Sequence, residues 1–412
     1  MSGQLTRKVG TKMAGGSGRL VSLDVLRGLA VAGMILVVSP GDWGAAYPQL
    51  QHAEWDGWTL ADMVFPTFLF SIGAALGLSF PLPWRTAEDR RLFWRRALRR
   101  AGLLVLLGLA LEATYNWELL YTGGPLGRPS LAYLRIPGVL QRIALCYLLA
   151  VAALLAASAR DTDGRATLRP GAIALAAAAM LLGYWATLTF VPTPGFGPGR
   201  LDAEGFLGGY IDRAIFTVPH LWPLGWAHPG EPVVYDPEGL LSTFPATVNV
   251  LFGSLAGWAW RRKTERGALT IGVAGLALIF AGLLLDPVFP INKRMWTSSF
   301  VLFSGGFSAV LLAVMMEVER WRGAPVLLAP LRVLGGNAIL AFIISTLLGR
   351  VYDLPIVPSD GEWLPPRGWL DKLALSAVRD PRVAATACAV LFVAVVVLLL
   401  TPLHRRAFHF RL

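Results

Sequence analysis

The chain alternates long apolar runs with short polar ones, and the apolar runs have the length of a membrane helix. A hydrocarbon core about 30 Å thick takes about 20 helical residues at ~1.5 Å each. Ten stretches meet that requirement: 22–39, 60–80, 98–115, 138–158, 171–190, 241–260, 268–285, 297–316, 333–349 and 383–401. Pro and Gly fall within and at the ends of these runs, as membrane helices tolerate. The pattern predicts an all-α, polytopic transmembrane helix bundle of about ten spans. It divides the chain into a basic amino-terminal tail (1–21), a transmembrane domain (22–404) and a basic tail (405–412). The first run contains Asp24 and Arg27 and no small-residue cleavage site follows it, so it reads as a span and not as a cleaved signal. Loops 191–240 and 350–382 read as folded caps, because Trp, Tyr and Phe are scattered through both. No internal repeat is visible, which argues against an inverted-repeat transporter.

Composition sharpens this picture. Hydrophobic residues make up 55% of the chain and charged residues 15%, with a mean hydropathy of +0.56. A soluble domain carries about 25% charged residues, so a disordered chain is excluded and the composition argues against an ordinary cytosolic enzyme. The net charge of +11 would suggest nucleic acid for a soluble protein. Here the basic residues sit between apolar runs, no nucleic-acid partner is expected, and membrane lipid is. Loops on one side hold 24 of the 37 Lys and Arg, which predicts both termini in the cytoplasm. Loops 40–59, 116–137, 191–240, 286–296 and 350–382 then lie outside. Cys146 and Cys388 both fall inside apolar runs, so no disulfide framework is expected. The five His residues show no metal-ligand spacing, and no metal is expected.

Ionisable residues within the runs are the sharpest chemical signal. A charge at depth costs about 2.5–3.5 kcal/mol on the insertion scale, so it faces protein or water and is paired. Asp24 and Arg27 lie three apart on one helix face, and either anchor the helix or belong to a ligand pocket. His52 lies between the first two runs, with Glu54, Asp56 and Asp62 nearby in sequence. A carboxylate that orients an imidazole makes the usual pair for proton abstraction. The alternative is an interfacial His among the belt residues Trp55 and Trp58. Further polar residues mark the other runs. Arg135 precedes the fourth run, and Gln141 and Arg142 lie on it. Asp236 and Glu238 precede the sixth, Asn292, Lys293 and Trp296 the eighth, and Asn337 lies in the ninth. Each has a local reading as a helix-start carboxylate, a headgroup contact or a belt aromatic. Gathered on one face they suit a polar ligand such as a sugar. The Arg run 85–100 serves orientation, and its guanidinium groups also match phosphate geometry.

Five segments carry a resemblance. They are S-L-D-V-L-R-G from Ser22, H-A-E-W-D-G-W-T-L-A-D-M-V-F-P-T-F-L-F-S-I-G from His52, R-I-P-G-V-L-Q-R-I-A from Arg135, Y-D-P-E-G-L-L-S-T from Tyr235 and P-I-N-K-R-M-W-T-S-S-F from Pro290. In this order they resemble heparan-α-glucosaminide N-acetyltransferase and its bacterial relatives, from Ser22 to about Ser345. The resemblance implies transfer of acetyl from cytosolic acetyl-CoA to the amine of an amino sugar or glycan on the far side of the membrane. His52 matches the family's proposed active-site residue, as general base or acetyl carrier. The short basic amino terminus implies a bacterial member in the inner membrane, with the site toward the periplasm. Relatives often carry Asn before the Pro-Gly turn, and here Val38 and Ser39 stand there.

The site expectations follow. His52 and Asp62 are catalytic, with Asp62 orienting the imidazole. Asp236, Glu238, Asn292, Lys293 and Trp296 hold the acceptor. Asp24, Arg27, Gln141, Arg142 and Asn337 hold acetyl-CoA. Asn292, Lys293 or Asn337 faces the thioester oxygen. A homodimer is compatible with the sequence. The rival reading is a permease for an amino sugar or small polar solute, which ionisable residues within spans also suit.

Overall fold

The computed structural model describes residues 21–80, 82, 86–115, 130–162, 164–262, 266–320, 326, 328–359, 362–408 and 410. Thirteen helices run along them. They are α1 (Val21–Val38), α2 (Leu60–Ser79), α3 (Ala87–Tyr115), α4 (Val139–Ala156), α5 (Pro170–Phe190), α6 (Leu207–Phe216) and α7 (Thr243–Arg261). Then follow α8 (Gly267–Leu285), α9 (Ser298–Val318), α10 (Ala329–Gly336), α11 (Ala338–Asp353), α12 (Pro366–Val378) and α13 (Pro381–Arg405). Two antiparallel hairpins complete the description, β1 (Ser158–Arg160) with β2 (Ala166–Leu168) and β3 (Val357–Ser359) with β4 (Glu362–Leu364). The architecture is an all-α polytopic bundle.

Among the described residues seven helices are long and apolar enough to cross a membrane: α1, α2, α4, α5, α8, α9 and α13. The ten-run expectation is amended in two ways. The third and sixth runs fall on α3 and α7, which are helical but less apolar. Arg99, Arg100 and Glu112 lie within α3, and α7 carries the buried polar residues Thr247, Asn249 and Ser254. In α7 neighbouring helices, not lipid, cover the polar face, whereas Arg99 of α3 stays exposed. The ninth run is not continuous. It breaks between α10 and α11 with a bend of 91° at Asn337. Gly335, Gly336 and Asn337 are poor helix formers in succession, which allows the break.

The main core lies along α2, α4, α7 and α9. Helices α5 and α8 turn Leu175, Leu182, Leu276, Phe280 and Leu284 outward, as a lipid-facing surface requires. Close helix crossings use small residues. A Cβ added at Gly73 of α2 would stand 1.9 Å from Val250 O, and one at Gly253 of α7 would stand 1.9 Å from Phe70 O. Gly77 and Gly257 repeat the contact one turn along. This is small-xxx-small packing on both partners. Helices α1 and α10 cross in the same way, through Gly28 against Leu331 O and Gly335 against Asp24 O.

Loops gather at two ends. At one end Trp55 Nε1 donates to Leu201 O at 2.8 Å, Gly57 N to Ile291 O at 2.8 Å and Gly41 N to Ala385 O at 3.1 Å. This end carries His52. The opposite end joins Leu82 to Ala166 through paired backbone hydrogen bonds at 3.0 Å, and Arg261 Nη1 to Leu78 O at 2.7 Å. Gly253→Leu is expected to lower the thermal unfolding midpoint of detergent-purified protein by several degrees, because backbone must separate. Gly183→Leu, where an added Cβ meets nothing within 4 Å, leaves the midpoint unchanged.

Candidate active site

Asp62 sits in the first turn of α2 and its side chain is almost wholly buried. Several donors surround it. His52 Nδ1 lies 2.8 Å from Oδ1, while Ala53 N and Thr59 N donate to Oδ2 at 3.1 and 3.0 Å. The bond from Thr59 N is one half of a capping box, and the Thr59 hydroxyl lies 2.6 Å from Gln51 O and 3.1 Å from Asp62 Oδ2. An acceptor-only carboxylate at Nδ1 fixes the tautomer with the proton there, which leaves the Nε2 lone pair available. His52 keeps 38% of its side-chain surface exposed, so this lone pair can meet a ligand.

Lys293 completes the constellation. Its Nζ lies 3.0 Å from His52 Nδ1, 3.1 Å from Nε2 and 3.5 Å from Asp62 Oδ1. Near-equal distances to both ring nitrogens place the ammonium against the ring and not along one lone pair. Burial and the Lys293 charge together hold the His52 pKa below the usual imidazole value of 6.5, against the opposing pull of Asp62. Burial likewise lowers the Lys293 pKa, while Asp62 and Glu238 oppose the shift.

The loop carrying His52 is clamped at several points. Asn292 Nδ2 donates to Asp56 Oδ1 at 3.2 Å, and Asn292 Oδ1 accepts from Met295 N at 2.8 Å. Gly57 has φ +91°, a conformation that costs glycine little, and its N–H reaches Ile291 O. Asn292 is fully buried and its amide is spent on this join, so it holds the loop and not the acceptor. Trp296 departs from expectation in the same way. It is fully buried, with Nε1 donating to Asn249 Oδ1 at 3.0 Å and edge contacts to Phe65 and Phe300. It presents no ring face to a sugar and is not a belt residue. Its φ of +58° costs about 1–2 kcal/mol, which this packing offsets.

Asp236 and Glu238 converge on Arg135. The Arg135 guanidinium meets Asp236 through Nε at 2.9 Å and Nη2 at 2.6 Å, and Nη2 also bonds Glu238. Asp236 further accepts from Trp222 N at 2.8 Å and Glu238 N at 2.9 Å. Burial disfavours the Arg135 charge, yet the two carboxylates raise its pKa above the normal value. Asp236 is thereby saturated, which leaves Glu238 as the carboxylate nearer the site, with Lys293 among the charges it feels. Beneath this turn Asp212 Oδ1 accepts from Leu240 N at 2.8 Å, and burial raises its pKa to about 7.

The five residues expected at acetyl-CoA separate into three places. Asp24 and Arg27 pair at 3.2 Å and line a cavity of about 730 Å³ between α1, α2, α3, α4 and α11. Gln141 and Arg142 do not line it. Leu140 and Ile143 of α4 do, and the intervening positions point away on a helix. Arg142 instead donates through Nη2 to Gly239 O at 2.8 Å and to the Ser242 hydroxyl, and lies over the Trp296 ring at 5.1 Å. Asn337 is spent on the chain end, with Nδ2 donating to Phe408 O at 3.1 Å and Oδ1 accepting from Phe410 N at 2.9 Å. Val64 and Phe65, on the turn after Asp62, line the cavity at one end, and Ser79 of α2 at the other.

Sequence reasoning missed Asn249 as the partner of Trp296, Asp212 under the 239–240 turn, and Arg100 as a cavity residue. The charge count places Arg100 in a loop, whereas it lies inside α3. The T-x-x-D spacing of Thr59 and Asp62 was a legible signal for the capped turn. Diethyl pyrocarbonate modifies neutral imidazole, so the pH dependence of modification at the His52 peptide reports its pKa. The wild-type midpoint is expected below 6.5. Lys293→Met removes a neighbouring positive charge, which stabilises the imidazolium and moves the midpoint upward. An unmoved midpoint refutes the electrostatic assignment.

Comparison with known proteins gives this geometry a context. A family model described as heparan-alpha-glucosaminide N-acetyltransferase, catalytic, matches residues 19–194, which include His52, Asp62 and Arg135. The chain is 31% identical over 368 residues to heparan-alpha-glucosaminide N-acetyltransferase of Homo sapiens, covering 79% of this chain and 52% of the human protein. It is 29% identical over 367 residues to the Mus musculus protein of the same name, covering 79% and 53%. The chain thus spans about half the length of the curated relatives it matches. By sequence it is a relative of the heparan-α-glucosaminide N-acetyltransferases, and the match contains the His52–Asp62 pair.

Proposed function

We propose that this chain is a membrane acetyltransferase that moves acetyl from acetyl-CoA to the amine of an amino sugar, with His52 as general base. The observation that carries this reading is the cavity. It runs from the charged pair Asp24–Arg27 to Val64 and Phe65, one turn from Asp62 and its imidazole. A donor lying along it brings a thioester to His52 from the opposite face, while the acceptor approaches from the loop side. In this proposal the loop side faces the periplasm of a bacterial inner membrane.

The chemistry follows from the charges. An ammonium is not a nucleophile, so the amine must lose a proton. His52 Nε2 takes it as nitrogen attacks the carbonyl; the C–N bond forms, the C–S bond breaks, and the second proton on nitrogen passes to the departing sulfur, so that CoA leaves as thiol. A lowered pKa keeps the ring neutral and ready at neutral pH. The tetrahedral intermediate carries a negative oxygen that needs a donor. Of the three candidates, Asn292 and Asn337 have their amides engaged elsewhere. Lys293, beside the ring, is the donor in this proposal. Glu238 binds the sugar amine or a hydroxyl at the mouth, and Asp236 acts by holding Arg135.

Radiolabelled acetyl transfer to glucosamine by purified protein tests the reading. His52→Ala is expected to lower kcat by about 10²–10⁴-fold, the range of general-base catalysis. Asp62→Asn lowers kcat with little change in acceptor KM, because it releases the tautomer. Equal transfer by wild type and His52→Ala rejects the assignment. Uptake of labelled glucosamine into vesicles without acetyl-CoA, in the absence of any acetylated product, favours a permease.

A further inference from the structure

The cavity contains a cation that the proposed mechanism leaves idle. Arg100 of α3 lines its wall, with the guanidinium 5.1 Å from the centroid of the Tyr147 ring. Arg100 Nε is buried and has no hydrogen-bond partner among the described residues. Arg27 lines the same space, but its charge is offset by Asp24 at 3.2 Å. Most of the remaining wall is apolar, with Phe68, Leu104 and Phe342 among its members. Buried beside this space, Arg100 Nε has lost its hydration without gaining a hydrogen bond among the described residues. A planar cation at the wall of a mostly apolar channel is matched by a phosphate at the end of a slender chain.

Depth identifies the chain length. Tyr147, against which Arg100 rests, clusters with Ile72 and Leu76 of α2. These residues follow Asp62 by 10 and 14 positions. At ~1.5 Å rise per residue, they lie about 15–21 Å along the helix from the carboxylate that holds His52. A pantetheine arm has about thirteen bonds from its sulfur to the nearest phosphorus, which at ~1.2 Å per bond of extended chain is about 16 Å. A thioester placed at His52 therefore puts the first phosphate of a pantetheine-linked donor level with Arg100. A small acyl phosphate, or a thioester without the arm, reaches one end only.

We propose that Arg100 is a donor-binding residue that contacts the diphosphate of a pantetheine-linked acyl donor, and that its distance from His52 sets the length of donor accepted. This deepens the acetyl-transfer reading and rests on it. Arg27 shares the phosphate, and Tyr147 supports the Arg100 guanidinium from behind. The site selects the arm, whatever acyl group it carries.

The test uses the full chain in detergent with two readouts. CoA alone is titrated by calorimetry, and transfer to glucosamine is measured with acetyl-CoA and with S-acetylpantetheine, which lacks phosphate. Arg100→Gln is expected to weaken CoA binding and raise the acetyl-CoA KM by about 10–100-fold, the loss of a charge-assisted hydrogen bond, with kcat within about threefold. Its KM for S-acetylpantetheine stays at the wild-type value, and Arg100→Lys recovers part of the CoA affinity. Unchanged CoA affinity in Arg100→Gln overturns the proposal, as does an equal rise in KM for both donors, which marks a structural role. Stabilisation of wild type by phosphatidylglycerol and not by CoA, lost in Arg100→Gln, overturns it in favour of a lipid headgroup. CoA binding that depends on Arg100, in a protein that acetylates no amino sugar, supports the phosphate contact and fails the acetyl-transfer reading alone.

Discussion

A carboxylate in the first turn of a membrane helix has to be fully satisfied, and the His52 end of the molecule is organised around doing this for Asp62. The helix supplies only part of what is needed, through the partial positive charge at its amino terminus. The rest comes from the loop before it: Ala53 N, Thr59 N and the His52 ring. These donors reach Asp62 only when residues 51–59 fold back over the start of α2. The cost of leaving the carboxylate bare thus folds the loop, and the folded loop aims the imidazole. Clamps at Trp55, Asp56 and Gly57 then tie that loop to segments 201 and 291–292. The pair at the centre is fixed from two sides.

A second polar layer surrounds this one. Arg135, Asp236 and Glu238 form a buried ion network whose desolvation cost offsets much of its attraction. Its contribution lies in geometry more than in stability. Asp236 spans Arg135 and two backbone N–H groups, which sets the 236–239 turn. That turn presents Gly239 O to Arg142, whose guanidinium covers Trp296, and Trp296 in turn follows Lys293 in the same tight turn. The chain of contacts links the fourth, sixth and eighth apolar runs of the sequence, which are far apart along it.

Much of the architecture was legible in the sequence because lipid imposes a simple rule of length and polarity. That rule finds α1, α2, α4, α5, α8, α9 and α13. It misjudges α3, which carries exposed Arg99 and half-buried Arg100, and α7, whose Thr247, Asn249 and Ser254 are buried against neighbouring helices. It also misses the break at Asn337, since composition reports apolarity and not straightness. The proximity of His52 and Asp62 was suggested by their chemistry, and Thr59 gave a local reason for it. Arg142, Asn292 and Trp296 were harder to place. Their roles depend on which side of a helix or turn they face, and on partners such as Asn249 and Gly239 that are distant in sequence.

Two of the glycine crossings make stiff couples on either side of the large cavity. Backbone meets backbone between α2 and α7, and again between α1 and α10, so neither couple has side chains that can yield by sliding. The large cavity lies along the seam between them, with α1 on one bank and α2 on the other. The covalent link between the two banks is the 39–59 segment, and this short strap also holds the imidazole, so the setting of the ring is tied to the spacing of α1 and α2.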